Sequence, residues 1–456
     1  MSRRLANYVV DWSTADLPPA GVSNVKLLIT HVVGAGLAAH HYEPAIAGVA
    51  LGLARRTGTS EESSIIGSAM KASPAYAAFA NGALMHALDF DDWAATGHPT
   101  CMVLAAALAA AGSVGASGSD VIGAVALGIE LFERLASSCP DVRARGWHGT
   151  SIFGAIGAAT STARLLGLTA PDVERVFAAV ASSATGLVRQ RGTMMKALQV
   201  GFAARNGVEA GLLGQAGASG MSDPLTGPLG LLDAITGISN CNVDDIESAL
   251  GTRPMHVVVP GVGLKAFPCC AIFFSAIAGI TQACRTHGVT ADDVERVDVG
   301  CSDWQLSQFG NLRPMTALEA KFSFAYCCAA ALIDGDVTLS TFEANHMPTV
   351  LEAMRKVRLT EDSRVPLGLA FLERGWTPVT IHTKRGSAIK TSPAPPLGDP
   401  RNPLGRELVR SRFVLSSRDV LGLPRAERAA DLLLALDACT DIRTVLDALC
   451  PPRVTA

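Results

Sequence analysis

Aromatic side chains are scarce in this 456-residue chain: Phe, Trp and Tyr together make up 5% of it, and charged residues only 17%. Hydrophobic residues nonetheless reach 49%, so the core must be assembled mainly from Ala, Gly, Val and Leu, small side chains that let helices approach closely. An excess of positive charge is missing too. The formal charge is −3 and the isoelectric point is near 6.4. Nucleic-acid binders normally carry a basic face or stripe, so no nucleic-acid partner is expected, and any anionic ligand must meet a few local cations.

Other absences narrow the chemistry. No CxxC spacing is present to hold zinc, and the eleven cysteines are odd in number, scattered and include two adjacent pairs, Cys269-Cys270 and Cys327-Cys328. That is not a disulfide framework; reduced thiols in a cytoplasmic, reducing compartment are expected. No GxGxxG follows a strand, and neither GxxxxGKS/T nor GxSxG occurs, so nucleotide use and serine-hydrolase chemistry have no basis. A thiol nucleophile at Cys269 or Cys270 stays open, although a thiol beside a pocket is as readily a bystander. The N-terminus, MSRRLANYVVDW, lacks an apolar stretch with a small-residue cleavage site, so secretion is not expected. Mean hydropathy is +0.30. The most apolar windows, such as 102 to 116, are broken by Gly, Ser or charge before the about 20 apolar residues that a bilayer span requires. No membrane association is expected.

A chain of this length exceeds what one core usually serves, so two domains are expected, one of them assembled from both ends of the chain. From Val22 to about Leu250 the sequence reads as successive helices. Several carry caps: Ser119-Asp120 before VIGAVALGIELFERL, Thr169 with Asp172 before VERVFAAVASSA, and Asn242 with Asp244 and Asp245 before IESAL. The character changes after Pro260. A helix around CCAIFFSAIAGITQACRTHG is followed by a strand-like DDVERVDVGC, and in 379 to 391 KRGS sits as a hairpin turn between two alternating runs. The Pro-rich stretch 392 to 405 reads as a linker, after which helical periodicity returns. The fold class is therefore mainly α. A helical domain is expected over 1–262 and 396–456, and a smaller α/β domain over 263–395.

Three islands concentrate chemistry-bearing residues. NGALMHALDFDDWAATGHPT (81 to 100) holds His86, Asp89, Asp91, Asp92 and His98; a helix would set His86 and Asp89 at i and i+3, with His98 on the loop after the break at Gly97. A core histidine bonded to Asp89, with the other acids as solvated caps, accounts for the same pattern. A metal site is a third reading, but the spacing matches no standard ligand set. RGWHGTSIFGA places His148 between Gly146 and Gly149 just before an apolar helix, a pattern shared with ordinary turns. VRQRGTMMKALQVGFAARNG carries Arg189, Arg191, Lys196 and Arg205. Lys196 interrupts an apolar run, which is costly without a partner anion, although a solvated face would explain it too. Lys265 and Tyr326 invite similar caution, since such residues are more often structural than catalytic.

Taken in order, NGALMHALDFDDW with GHPT, GWHGTS, MMKALQVGFAARNGVEAGLLG, LKAFPCC, EAKFSFAYCCAAALIDGD and GDPRNPLGRELVRSRF resemble the MmgE/PrpD family, over residues 5 to 450. The resemblance implies a large helical domain with a smaller α/β lid, a homodimer, no cofactor or metal, and an active site in the cleft between the domains. It implies a small di- or tricarboxylic acid substrate and a pocket containing Asp89, His98, His148, Lys196, Lys265 and Tyr326. In that pocket Lys196 and Lys265 are expected to clamp carboxylates, and His98 and His148 to move protons. Asp89 is expected to orient a histidine, and Tyr326 to give a hydrogen bond or proton to the substrate. Three positions depart from the family pattern and are expected at the substrate: Trp93 where several members carry Thr, Gln199 where a histidine often follows the lysine, and Cys270 where some place a histidine. The implied reaction is a lyase reaction, dehydration or decarboxylation. A cofactor-independent epimerisation and a non-catalytic ligand-binding homologue are the alternatives.

Overall fold

The computed structural model describes residues 1–57, 60–94, 97–139, 142–237, 240–366, 377–391 and 394–452. The fold is mainly α, and the chain divides into two compact units. The first comprises Met1–Gln190, Met195–Val262 and Gly405–Ala456; the second comprises Arg191–Met194 and Gly263–Leu404.

The first unit is built on α1 (Pro19–Tyr42), α2 (Pro74–Ala87), α3 (Thr100–Val114), α4 (Gly118–Ser137), α5 (Gly149–Leu165), α6 (Ala170–Ala181) and α7 (Met194–Gln215). Every residue from Ala77 to Ala87 in α2 and from Thr100 to Gly112 in α3 is buried. A helix that is apolar on all sides belongs in a core, and α3 is surrounded by α2, α4 and α5. Such packing depends on glycine where helices cross. A Cβ on Gly157 of α5 would stand 2.6 Å from the carbonyl oxygen of Gly128 in α4, and one on Gly201 of α7 would stand 2.6 Å from that of Phe79 in α2. The second crossing seats α7 on α2 and so brings Lys196 to His86.

Caps fall close to where the sequence puts them. Thr169 and Asp172 form a reciprocal box at α6, and Asn242 accepts from the Asp245 amide. At α4 the cap is Ser117 rather than Ser119: its hydroxyl accepts from the Asp120 amide while the Asp120 carboxylate returns to the Ser117 amide. One helix departs from the sequence expectation. α1, at 24 residues, is long and apolar enough to cross a membrane, but 72% of its most apolar window is buried. It packs against α2 and the helix Arg406–Leu421 as a core helix.

The second unit is mixed α/β, as its alternating sequence indicates. Strands β1 (Val294–Cys301), β2 (Val357–Glu361), β3 (Val379–Thr383) and β4 (Ala388–Lys390) form one sheet in the order β2-β1-β3-β4. β1 runs parallel to β2 and antiparallel to β3, and β3 and β4 form the hairpin turned by residues 384–387. Helices α8 (Phe274–His287) and α9 (Phe324–Asp334) pack together. Phe273 stacks on Phe324 at 4.4 Å between ring centroids. The Pro-rich stretch is not a free linker. Ser392 and Pro393 lie outside the described residues, but from 394 onward it is folded into this unit: Leu264 donates to the Gly398 carbonyl, and the buried Asp399 holds the Arg401 guanidinium through both carboxylate oxygens. Prolines forbid a ladder here, yet leave a tight turn available.

Candidate active site

α2 stops at Ala87, so His86 and Asp89 do not share a helix face as i and i+3 would require. Asp89 instead adopts a left-handed backbone, with φ 51°, a conformation Asp tolerates better than most side chains. The turn sends three successive carboxylates inward: Asp89, Asp91 and Asp92 are 3%, 0% and 0% exposed. Buried charge of this density demands partners.

Those partners form a chain. Lys196 donates to Asp89 Oδ1 at 2.7 Å and to His86 Nε2 at 2.6 Å, and His86 Nδ1 lies 2.7 Å from Asp91 Oδ2. An ammonium can only donate, so Nε2 carries the lone pair and Nδ1–H donates to Asp91. The Cys101 thiol also donates to Asp91 Oδ2, at 2.8 Å. His98 donates from Nδ1 to the Asp92 carbonyl at 2.7 Å. Its Nε2 lies 4.0 Å from Asp89 Oδ1, and its ring stands edge-on to His86 at 4.8 Å. Asp92 Oδ2 accepts from the amide and the hydroxyl of Thr100 at 2.9 and 2.7 Å.

His148 is the N-terminal cap residue of α5. Its amide donates to the Gly186 carbonyl, its Nδ1 lies 2.7 Å from Ser151 Oγ, and its Nε2 has no partner among the described residues. The ring is half-buried, and Lys196, His86 and His98 are near enough to act on its charge.

These surroundings set the protonation states. Burial, reinforced by Lys196, pushes His86 down to about 4. Burial, then Lys196, His86 and His98, holds His148 well below the ordinary histidine range. Burial and the neighbouring Asp91 push Asp92 up to about 8. Near neutral pH the site thus presents two neutral imidazoles and a protonated acid around one ammonium.

His86, Asp89, Asp91 and His98 offer donor atoms that all lie within 4.8 Å of one another, close enough to hold a metal ion. Lys196 bonds two polar atoms of this cluster, His86 Nε2 and Asp89 Oδ1, so the protein's own ammonium already lies among these donors.

Of the residues singled out in the sequence, His86, Asp89, Asp91, His98, His148 and Lys196 come together in the first unit. Asp89 holds Lys196, whereas Asp91 orients His86. Gln199, one helical turn beyond Lys196, both accepts from the Leu187 amide and donates to the Leu187 carbonyl, so its amide braces the loop before α7. Trp93 is 8% exposed and its indole N–H has no partner among the described residues. Lys265, Cys270 and Tyr326 belong to the second unit. Tyr326 is fully buried, its ring stacks near Phe342, and its hydroxyl donates to the Thr341 carbonyl at 2.7 Å, a bond made inside that unit. Burial also pushes that phenol up, away from proton donation near neutrality. The roles of Asp91, Asp92 and Ser151 have no sequence signal beyond membership of the islands, and Cys101 lies one residue outside them, because spacing does not say which acid turns inward.

Comparison with known proteins places both parts of the chain in one family. The family model described as MmgE/PrpD N-terminal domain matches residues 3–244, and that described as MmgE/PrpD C-terminal domain matches residues 267–438. A cis-aconitate decarboxylase of Aspergillus terreus is 29% identical over 417 residues, covering 85% of this chain and 84% of that protein. One from Mus musculus is 28% identical over 402 residues, covering 84% and 79%. A cis-aconitate decarboxylase-like protein of Aspergillus oryzae is 26% identical, covering 98% and 96%.

Proposed function

Since the chain belongs to the MmgE/PrpD family and is a lyase of that type, we propose that it releases carbon dioxide from a small unsaturated tricarboxylate of the cis-aconitate kind. The observation that carries this reading is the ammonium of Lys196 set between Asp89 and His86, with His148 and His98 beside it.

Loss of carbon dioxide breaks one C–C bond and leaves its electron pair on carbon, delocalised through the adjacent double bond into the remaining carboxylates. A fixed cation stabilises that developing charge. A new C–H bond must then form, and it needs a proton. His148 is suited to deliver it, since Nδ1 is steadied by Ser151 and Nε2 has no partner among the described residues. A neutral imidazole must first gain the proton it gives. The substrate provides for this: its negative charge offsets Lys196 and raises the affinity of His148 for a proton, so binding the anion recruits the acid from solvent. His98 is a second proton carrier, and Asp89 holds Lys196 in place.

The protein acts in this proposal as a soluble cytoplasmic homodimer without a metal. The parts expected of Lys265 and Cys270 rest on the family resemblance alone. Incubation with cis-aconitate, citrate and 2-methylcitrate, followed by carbon NMR and carbon dioxide capture, tests the reading. Release of carbon dioxide from cis-aconitate supports it. Loss of water alone, or isotope exchange with neither loss, replaces it with dehydration or epimerisation.

A further inference from the structure

Away from the histidine cluster, two cysteines far apart in sequence meet within the first unit. The Cys139 thiol, two residues past the end of α4, donates to Cys241 Sγ at 3.1 Å. The backbone beside them is already paired, since the Asn242 amide donates to the Ser138 carbonyl at 3.1 Å. The two segments therefore lie side by side with both sulfurs turned to each other. Cys139 is buried and Cys241 is partly exposed, so a reagent from solvent meets Cys241 first.

We propose that Cys139 and Cys241 form a thiol–disulfide exchange site that takes low-molecular-weight disulfides of the glutathione class. The Cys241 thiolate attacks one sulfur of the reagent, forming a mixed disulfide and expelling one small thiolate. The Cys139 thiolate, its proton released to solvent, then attacks Cys241 Sγ, closing the protein disulfide and expelling the second small thiolate. Two protein thiols are oxidised by one reagent disulfide, which is reduced to two thiols. Hydrogen bonding from Cys139 draws Cys241 below the ordinary thiol range and pushes Cys139 above it, in keeping with Cys241 as attacker.

Position gives the bond a consequence. From Cys139 the backbone runs through Val142, whose amide donates to the Cys139 carbonyl and whose carbonyl accepts from Trp147, to His148. A disulfide would pin the start of the segment that carries His148 to the residue preceding Asn242, the N-cap of the helix Val243–Ala249.

The test equilibrates the full-length protein across mixtures of reduced and oxidised glutathione, then traps thiols for peptide mass mapping. The expected product weighs about 2 Da less than the reduced protein, carries a Cys139–Cys241 cross-link and reverts with dithiothreitol. Cys139→Ser, which removes the resolving thiol, should instead retain a glutathione adduct of about 305 Da on Cys241. Amides of residues 142–148 should exchange at least about fivefold more slowly in the oxidised protein. Both thiols remaining alkylatable at an oxidising poise, a cross-link between other cysteines, or unchanged exchange across 142–148 would overturn the proposal. These readouts are masses, so they stand apart from the lyase reading.

Discussion

Lys196 donates to Nε2 of His86 across 2.6 Å, and this one contact fixes the imidazole as its Nδ1–H form and makes Asp91, His86, Lys196 and Asp89 a single run of alternating acceptors and donors. Lys196→Met removes the cation and leaves Asp89 buried without its lysine. Breaking a buried charge pair from one side costs about 3–5 kcal/mol, so urea unfolding should shift by that order. The kcat/KM for the carboxylate substrate should fall at least about 100-fold, the scale of a lost electrostatic contact in a catalytic site. A folded Lys196→Met protein of wild-type activity would remove the lysine from the site.

The pH dependence of stability follows from two groups with opposite signs. His86 is held down to about 4 in the fold, against an ordinary value of 6.5. Between those pH values the unfolded chain binds more protons, so the stability contributed by neutral His86 is complete above 6.5 and is lost as pH falls toward 4. Asp92 is pushed up to about 8 from an ordinary 3.8. Here the fold binds more protons, so the contribution is complete below 3.8 and is lost as pH rises toward 8. Asp92→Asn keeps an oxygen for Thr100 but cannot ionise. Its stability relative to wild type should therefore rise steadily from pH 5 to pH 8 in urea titrations; a flat difference would contradict a protonated Asp92.

Binding of a polyanion should draw in protons. His86 and His148 are neutral in the free protein because burial and Lys196 disfavour their charged forms, and an added anion reverses the electrostatic part of that. Calorimetry of citrate binding near pH 7, repeated in buffers of differing ionisation enthalpy, should report net proton uptake. Uptake should shrink in His148→Ala. Proton release on binding would contradict this.

Much of the frame was legible in the chain. The helical first half, the hairpin at 384–387 and the caps at Thr169 and Asn242 follow from periodicity and local hydrogen bonding, which sequence encodes directly. The motif islands named the histidines and Lys196. What stayed hidden depended on backbone direction and tertiary partners. No spacing rule shows that the chain turns left-handed at Asp89, which ends the helix before it and gives His86 to Asp91 instead. Nor does composition show that the hydroxyl of Tyr326 is committed to Thr341, or that Gln199 braces Leu187.

The small-residue content also has a mechanical role. Gly201 lets α7 settle on α2, where an added Cβ would stand 2.6 Å from the Phe79 carbonyl oxygen. Gly201→Ala forces backbone to move and should cost about 1–3 kcal/mol by thermal or urea unfolding. Because that crossing aligns Lys196 with His86, activity should fall more than the stability loss alone explains. An unshifted midpoint would show that the two helices have room to part.

Turnover of cis-aconitate in deuterium oxide reads the chemistry itself. One deuterium on carbon for each carbon dioxide released is the expected result for the wild-type protein, with both falling at least about 100-fold in folded His148→Ala, the scale of a lost general acid. Carbon dioxide release that survives His148→Ala undiminished, or none from the wild type, would contradict the assignment.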